Sequence, residues 1–183
     1  MPKPAPAESL LRVGRRARAS VAPALALVGI ALLVLEIGPT HAQIKLLPPE
    51  EAFRFSARAL DARTVEASFA VADGYYLYRD KLRFSTTHPA VTVGAVELPA
   101  GKVKEDPFFG KVETYRDRVV VRLPLDNAAA GQAVTLRADS QGCADVGVCY
   151  PANSQSVTVT LPQAGAPPGP LIDANPPKKR WFN

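Results

Sequence analysis

The sequence is poor in the residues that most often bind metals, with only two histidines and two cysteines. His41 belongs to an amino-terminal leader, so His88, beside Pro89 in an expected turn, is the single histidine of the remaining chain. A zinc site needs three or four ligands. A glycine-rich phosphate loop and a Ser-His-Asp set are also absent. We therefore expect no metal site and no cofactor.

Convincing helical periodicity is absent after the leader, and the 18 prolines argue against a helical bundle. Short runs of β-branched and aromatic residues, separated by turn signals, predict strands instead. Asp73 and Gly74 form a typical hairpin turn between two such runs. The predicted strands cover residues 52–60, 65–72, 75–84, 91–98, 118–125, 133–139 and 156–162. This pattern predicts an all-β fold, an immunoglobulin-like β-sandwich.

Residues 1–42 are predicted to be a signal peptide. Five basic residues precede an apolar run over residues 21–37, and THA at 40–42 approximates the small-x-small pattern of a signal peptidase site. Cleavage after Ala42 would give an exported protein. The alternative is a retained membrane anchor, for which the run is short and is interrupted by Pro23 and Glu36.

The leader also carries most of the net charge of +5. Without residues 1–42 the chain has 17 basic and 15 acidic residues. A basic stripe interleaved with aromatic residues, typical of nucleic-acid binding, is missing. We therefore expect no nucleic-acid partner. Export predicts a periplasmic or similar space, where two cysteines can form and keep a disulfide.

The only cysteines, Cys143 and Cys149, lie in QGCADVGVCYP at 141–151. Asp145 and Gly147 between them permit a tight reversal, which would place the cysteines opposite each other on antiparallel arms. As a staple, so short a loop would contribute roughly 2 kcal/mol. As a reactive pair, the sulfurs would stay close in either redox state, so a mixed disulfide could resolve quickly. The spacing alone leaves both interpretations open.

The surroundings of the cysteines predict low intrinsic reactivity. Asp145 lies between them, and no Lys or Arg lies within a few residues. A nearby carboxylate and partial burial would both raise the pKa of a thiol. We expect such a thiol to exchange only within the interface of a partner protein.

Two segments depart from the strand pattern. Residues 99–115 are predicted to be a long connection with adjacent aromatic residues, Phe108 and Phe109, and long ordered loops are often functional. Residues 163–183, rich in Pro, Gly and Ala, are predicted to be a disordered tail. The expected organisation is therefore a signal peptide over 1–42, a β-sandwich domain over 43–162 and the tail.

Three stretches carry a specific resemblance: DGYYLYRDKLRF at 73–84, EDPFFGKVETYRDR at 105–118 and QGCADVGVCYP at 141–151. In this order and spacing they resemble the amino-terminal periplasmic domain of the bacterial thiol:disulfide interchange protein DsbD, over about residues 45–162. The resemblance implies a sandwich with the cysteine pair at one end. It also implies a protein-disulfide reductase or oxidoreductase that works by dithiol–disulfide exchange without a cofactor.

The resemblance assigns roles to both cysteines and to partners. Cys149 matches the cysteine that forms mixed disulfides, and Cys143 matches the one that resolves them. In the family, electrons arrive through a transmembrane domain and a thioredoxin-like domain. They leave to periplasmic disulfide isomerases and to thiol proteins of cytochrome c maturation. Because neither further domain follows residue 162, we expect a separate donor, such as a membrane electron transporter.

The resemblance also places a covering segment over the disulfide, the cap loop of residues 106–110. Phe108 matches the shielding aromatic, whereas the alternative is ordinary packing under a loop. Pro107 stands where the family often has an acidic residue. We expect the proline to stiffen the loop. Two tyrosines match residues that line the site, with simple strand packing as the alternative. The candidate site thus comprises the two cysteines with Tyr76, Tyr78, Asp106, Phe108, Phe109, Gly110 and Asp145.

A rival hypothesis keeps the same sandwich but gives it no chemistry. The protein would be an envelope binding module, and its disulfide would be a permanent staple for a docking loop. The missing membrane and thioredoxin-like domains favour this rival. The retention of both cysteines together with the aromatic loop and the tyrosine strand favours exchange.

Overall fold

The structure, a computed structural model, describes residues 45–107 and 109–176. The predicted signal peptide, Phe108 and the basic-aromatic end at 177–183 lie outside the described residues. Nearly all regular structure in the described part is strand. None of its helices is long and apolar enough to cross a membrane.

One short helix and twelve strands make up the described regular structure, apart from a 3-10 turn at Arg79–Lys81. Helix α1 is Pro49–Ala52. The strands are β1 Phe53–Ala59, β2 Thr64–Val71, β3 Tyr75–Tyr78, β4 Arg83–Thr86, β5 Thr92–Val93, β6 Lys102–Asp106, β7 Gly110–Tyr115, β8 Arg118–Asp126, β9 Ala133–Ser140, β10 Gly142–Ala144, β11 Asn153–Thr160 and β12 Ile172–Asp173.

The strands form three antiparallel sheets, in the orders β12-β1-β2-β8-β5, β11-β9-β4 and β10-β3-β7-β6. Strands of the first two sheets bury alternate residues in one apolar core. On β8, for example, Val119, Val121 and Leu123 are buried while the residues between them are exposed. Each such side chain contributes about 1.5–3 kcal/mol of hydrophobic free energy. The predicted all-β sandwich is confirmed.

Two predicted strands are shorter than the sequence indicated. The run at 75–84 is interrupted by the 3-10 turn, which sends β3 into the four-stranded sheet and β4 into the three-stranded one. The run at 91–98 keeps only the two residues of β5. Local propensity could not reveal either break, because partner strands decide where pairing stops.

The predicted long connection at 99–115 is wrong, because most of it forms the β6–β7 hairpin. Asp106 pairs with Gly110 at its end, so the two end residues of the cap loop belong to paired strands. Gly110 has a φ of +69°, in the left-handed region that favours glycine. The charged sequence KVKED has low strand propensity, which hid β6 from the sequence analysis.

The predicted disordered tail is wrong for residues 163–176. Strand β12 pairs with β1 at Ser56 and Ala57. An ion pair joins Asp173 to Arg54, and the Asn175 side chain donates a hydrogen bond to the side-chain oxygen of Gln155 at 2.9 Å. A short edge strand tolerates neighbouring prolines because it is hydrogen-bonded on one side only.

Candidate functional site

Cys143 and Cys149 form a disulfide across a tight reversal of the chain, with their Cα atoms 3.9 Å apart. The backbone N–H of Ala144 donates to the carbonyl of Val148 at 2.8 Å, which closes the loop. Gly147 has a φ of +87° and supplies the left-handed residue that the reversal needs. The predicted placement of the cysteines on opposite antiparallel arms is confirmed.

The two cysteines differ in exposure. Cys143 is fully buried at 0% exposure, on a strand that pairs directly with β3. Cys149 is only partly buried. The loop between them presents two apolar side chains to solvent, Val146 at 54% and Val148 at 43% exposure. A thiolate arriving from outside therefore reaches Cys149 before Cys143.

Gly142 allows β10 to lie this close to β3. A Cβ atom at this position would stand 2.3 Å from the carbonyl oxygen of Tyr76 and 2.6 Å from the Phe53 ring. Only glycine fits such an approach without movement of the backbone. The close approach of β10, which carries Cys143, to β3 therefore depends on the glycine at position 142.

Strand β3 carries the two predicted tyrosines to the disulfide. Its side chains alternate, so Tyr75 and Leu77 enter the main core. Tyr76 and Tyr78 point the other way and form a separate buried cluster with Cys143. Their rings meet edge to face with centroids 5.5 Å apart. Both tyrosines are therefore buried strand residues, and the surface they pack against includes Cys143.

A buried carboxylate connects the two tyrosine hydroxyls. Tyr78 donates a hydrogen bond to Asp106 Oδ2 at 2.8 Å, and Tyr76 donates to the same oxygen at 3.1 Å. The Tyr78 hydroxyl also lies 3.1 Å from Cys143 Sγ. Burial, and then the hydrogen bond to Asp106, raise the pKa of Tyr78 well above its ordinary value. The phenol therefore keeps its proton, which it donates to Asp106 while its oxygen lies beside the sulfur.

The cap loop has a buried end and an exposed end. Asp106 is 3% exposed, and its Oδ1 accepts a hydrogen bond from the Phe109 N–H at 3.3 Å, which fixes the turn. Phe109 is 45% exposed and places its ring 5.2 Å from that of Tyr78. The Lys81 ammonium lies 4.8 Å from the Phe109 ring centre. Phe108, the expected shield, lies outside the described residues.

Two cations near the disulfide were missed by the sequence analysis. Arg116 forms a forked ion pair with Asp145, with nitrogen–oxygen distances of 2.6 and 2.9 Å. It also donates to the carbonyl of Tyr75 at 3.2 Å and lies 5.3 Å from the Tyr76 ring centre. Lys104 lies 3.6 Å from the same ring centre. Arg116 lies within the ETYRDR segment at 113–118, but no local sequence pattern links it to the cysteine loop.

This ion pair changes the expected electrostatics of the cysteine loop. Asp145 was expected to stand as an unpaired carboxylate that raises the thiol pKa. Its hydrogen bonds from Arg116 instead lower the pKa of Asp145 and raise that of Arg116. The loop therefore carries a neutralised pair rather than a negative charge.

A metal site finds no support in residues 45–107 and 109–176. No group of three or more His, Cys, Asp or Glu side chains is placed there to hold an ion. The chemistry that the described geometry offers is that of sulfur: a disulfide with one accessible side and a protonated phenol at its buried side.

Comparison with known proteins gives a consistent result. The model of the amino-terminal part of thiol:disulfide interchange protein DsbD matches residues 43–161. DsbD of Ralstonia nicotianae is 48% identical over 152 residues, which are 82% of this chain and 24% of that protein. DsbD of Escherichia coli K12 is 36% identical over 116 residues, 63% of this chain and 20% of that protein. The chain thus spans about a quarter of the length of these curated relatives or less.

Two solved structures from Neisseria meningitidis share the fold. The reduced amino-terminal domain of DsbD has a TM-score of 0.59 and 32% identity, with 71% of this chain and 96% of that chain covered. The same domain in complex with the amino-terminal domain of PilB has a TM-score of 0.52 and 35% identity, with 62% and 87% covered.

Proposed function

The chain belongs to the family of DsbD amino-terminal domains, and on that premise we propose that it exchanges disulfides with partner proteins through Cys143 and Cys149. The observation that carries the proposal is the asymmetry of the disulfide. Cys149 is partly accessible, while Cys143 is buried beside the Tyr78 hydroxyl. A purely structural bridge needs neither an accessible sulfur nor a donor at the other one.

The exchange proceeds in two balanced steps. A thiolate of a reduced partner attacks Cys149 Sγ, the bond to Cys143 breaks, and Cys143 leaves as a thiolate that takes up a proton. A second partner thiolate then attacks the partner sulfur of the mixed disulfide and releases Cys149. Two electrons have passed to this protein, and the partner holds a disulfide. The reverse steps reduce the disulfide of the next partner, with Cys149 attacking and Cys143 resolving.

The Tyr78 hydroxyl assists the first step. Its single proton, which Asp106 accepts in the disulfide form, can turn to the departing Cys143 thiolate, where negative charge develops in a site shielded from water. Asp106 positions the phenol in the disulfide form, and it keeps the hydrogen bond from Tyr76 when the Tyr78 proton turns away. Phe109, and Phe108 if it lies as the resemblance implies, restrict the access of small thiols until a partner displaces the cap loop.

We place the protein in the periplasm, with thioredoxin-like proteins and disulfide isomerases as partners. The predicted signal peptide supports export, and the structure of a related domain bound to PilB supports docking of another protein at this fold. Thiol proteins of cytochrome c maturation are further candidate acceptors. A membrane electron transporter is a candidate source of the electrons.

Two matched variants test the proposal. Cys143→Ala and Cys149→Ala both remove the disulfide, so they lose the same covalent staple. We expect Cys143→Ala to accumulate a mixed disulfide with a thioredoxin-like probe protein, because Cys149 attacks and nothing resolves. Cys149→Ala should accumulate none. Equal trapping by both variants, or trapping by neither, would contradict the proposal.

The reduction potential of the pair separates exchange from the rival binding module. Equilibration with glutathione or dithiothreitol should give a value near about −200 mV, the range of exchange proteins. A value well below about −300 mV would mark a permanent structural bridge. The protein would then act through its surface alone.

A further inference from the structure

The guanidinium of Arg116 joins three parts of the molecule that surround the disulfide. Its fork holds Asp145, which lies in the loop between the cysteines. One of its nitrogens also donates to the carbonyl of Tyr75 on β3, and its central carbon lies 5.3 Å from the centre of the Tyr76 ring. Planar bidentate pairing of this kind fixes geometry as well as charge. The Arg116 side chain therefore contacts the cysteine loop, strand β3 and the Tyr76 ring at the same time.

This arrangement matters most when the disulfide is open. Without the sulfur–sulfur bond, the largely exposed loop is held by backbone hydrogen bonds, such as that from the Asp145 N–H to the carbonyl of Gly74, and by Arg116. Cys143 is fixed independently, because its strand pairs with β3. The position of Cys149 relative to Cys143 therefore depends on how firmly the loop stays against β3.

We propose that Arg116 is a positioning residue for exchange: it keeps the cysteine loop against β3 in the reduced protein, so that Cys149 stays within reach of Cys143. The proposal rests on the exchange function proposed above. Holding two reacting groups at contact distance raises their effective concentration, and this determines how readily the ring closes. Arg116 acts through Asp145 rather than on either sulfur.

The first test needs no partner protein. Arg116→Gln is equilibrated with reduced and oxidised glutathione, and the effective concentration of the Cys143–Cys149 pair is measured. A partly exposed ion pair stabilises by up to about a fivefold factor, so a fall of about fivefold is expected. At about 30 mV per tenfold change, this corresponds to a potential about 20 mV less negative. A value equal to that of the unaltered protein would overturn the proposal.

A matched control exists in another sheet. Arg137 on β9 forms an ion pair with Asp139 at 3.0 Å, and its side chain is 49% exposed against 36% for Arg116. Arg137→Gln removes a comparable pair away from β10 and β3, so the potential should stay unchanged. An equal shift in Arg137→Gln would mean that general loss of surface charge, rather than positioning, explains the effect.

A double variant identifies the route of the effect. If Arg116 acts through Asp145, then Asp145→Asn alone should lower ring closure by a similar factor, and the Arg116→Gln/Asp145→Asn protein should be no worse than either single variant. Additive losses would overturn the proposal. Arg116→Lys keeps the charge but loses the fork, so only partial rescue is expected.

The outcomes separate this inference from the exchange function. If the exchange function is wrong, the Cys143→Ala protein traps no partner, whatever Arg116→Gln does to ring closure. If only the inference is wrong, partners are trapped normally and Arg116→Gln closes its ring as readily as the unaltered protein.

Discussion

The hydroxyl oxygen of Tyr78 lies 3.1 Å from Sγ of Cys143 but 3.9 Å from Sγ of Cys149. The donor is thus closer to the buried sulfur than to the accessible one. When a thiolate attacks the accessible sulfur, the buried sulfur becomes the leaving group and gains negative charge. The phenol therefore stands where the charge develops, and its single proton, donated to Asp106 in the disulfide form, can turn to that sulfur.

Tyr78→Phe should slow exchange by about tenfold, because the departing Cys143 thiolate loses a hydrogen bond from a neutral donor to a charged acceptor. The variant should also raise the pKa of the Cys143 thiol in the reduced protein. Stopped-flow reduction by a thioredoxin-like probe measures the exchange rate, and the pH dependence of alkylation measures the pKa of the Cys143 thiol.

Tyr115→Phe is the control for this change. Tyr115 is also buried and donates to the carbonyl of Pro99 at 2.5 Å, and it belongs to the main core rather than to the cluster around Cys143. Both variants should lose roughly 1–3 kcal/mol of unfolding free energy. Only Tyr78→Phe should slow exchange. Equal slowing would assign the effect to stability and would count against a role for the hydroxyl.

The Arg116–Asp145 ion pair makes the free energy of unfolding depend on pH. Because the folded state lowers the pKa of Asp145, the pair contributes stability above the unfolded pKa of about 3.9. That contribution is lost as the pH falls through the folded pKa. It should be less than about 1 kcal/mol, since the Asp145 side chain is 44% exposed.

In Arg116→Gln the pKa of Asp145 should return towards its ordinary value, as measured by carboxyl NMR titration. Asp139 serves as an internal reference. Its pKa is lowered chiefly by the Ser154 hydroxyl and by Arg137, so it should not change. A pKa of Asp145 that stays low in the variant would show that another group holds it there.

The exposed ring of Phe109 should limit the access of small thiols. Phe109→Ala removes a ring that packs on Tyr78 from the solvent side, so reduction by dithiothreitol should become several-fold faster with little loss of stability. Val103→Ala, at a 62% exposed position on β6, should leave the rate unchanged.

Phe108→Ala tests the shielding role that the resemblance implies. Acceleration in Phe108→Ala alone would assign the shield to that residue.

Gly142→Ala should displace β10 from β3, because the added Cβ would meet the Tyr76 carbonyl at 2.3 Å. Overpacking of this kind costs about 1–3 kcal/mol, and the exchange rate should fall with it. Chemical denaturation and exchange assays measure both effects. Gly169→Ala, whose nearest neighbour would be the Ala59 carbonyl at 3.6 Å, should change neither.

Alternation along single strands was sufficient to predict much of the fold. The buried faces of β2 and β8 follow directly from period-two patterns such as Val119, Val121 and Leu123. On β3 the same rule placed Tyr76 and Tyr78 on one face. It could not say which face meets the sulfur, because all four residues of this strand are buried.

Interactions between distant residues explain what the sequence did not reveal. Arg116 and Asp145 are 29 positions apart, and no local pattern links a cation after β7 to the cysteine loop. Strand β6 was missed because its charged residues carry low strand propensity, and partner strand β7 decides the pairing. Sequence motifs indicated the candidate site, whereas its electrostatics depend on chain segments brought together by folding.

Strand β12 has a consequence for any attempt to shorten this protein. The family match ends at residue 161, yet residues beyond it cover β1: the Gly169 N–H donates to the carbonyl of Ala59 at 2.8 Å, and that of Ala174 to Phe55 at 2.9 Å. A chain cut at 162 would expose these carbonyls along an open sheet edge. Unprotected edges recruit strands from other molecules and promote aggregation. The smallest well-behaved domain should therefore extend to about residue 176.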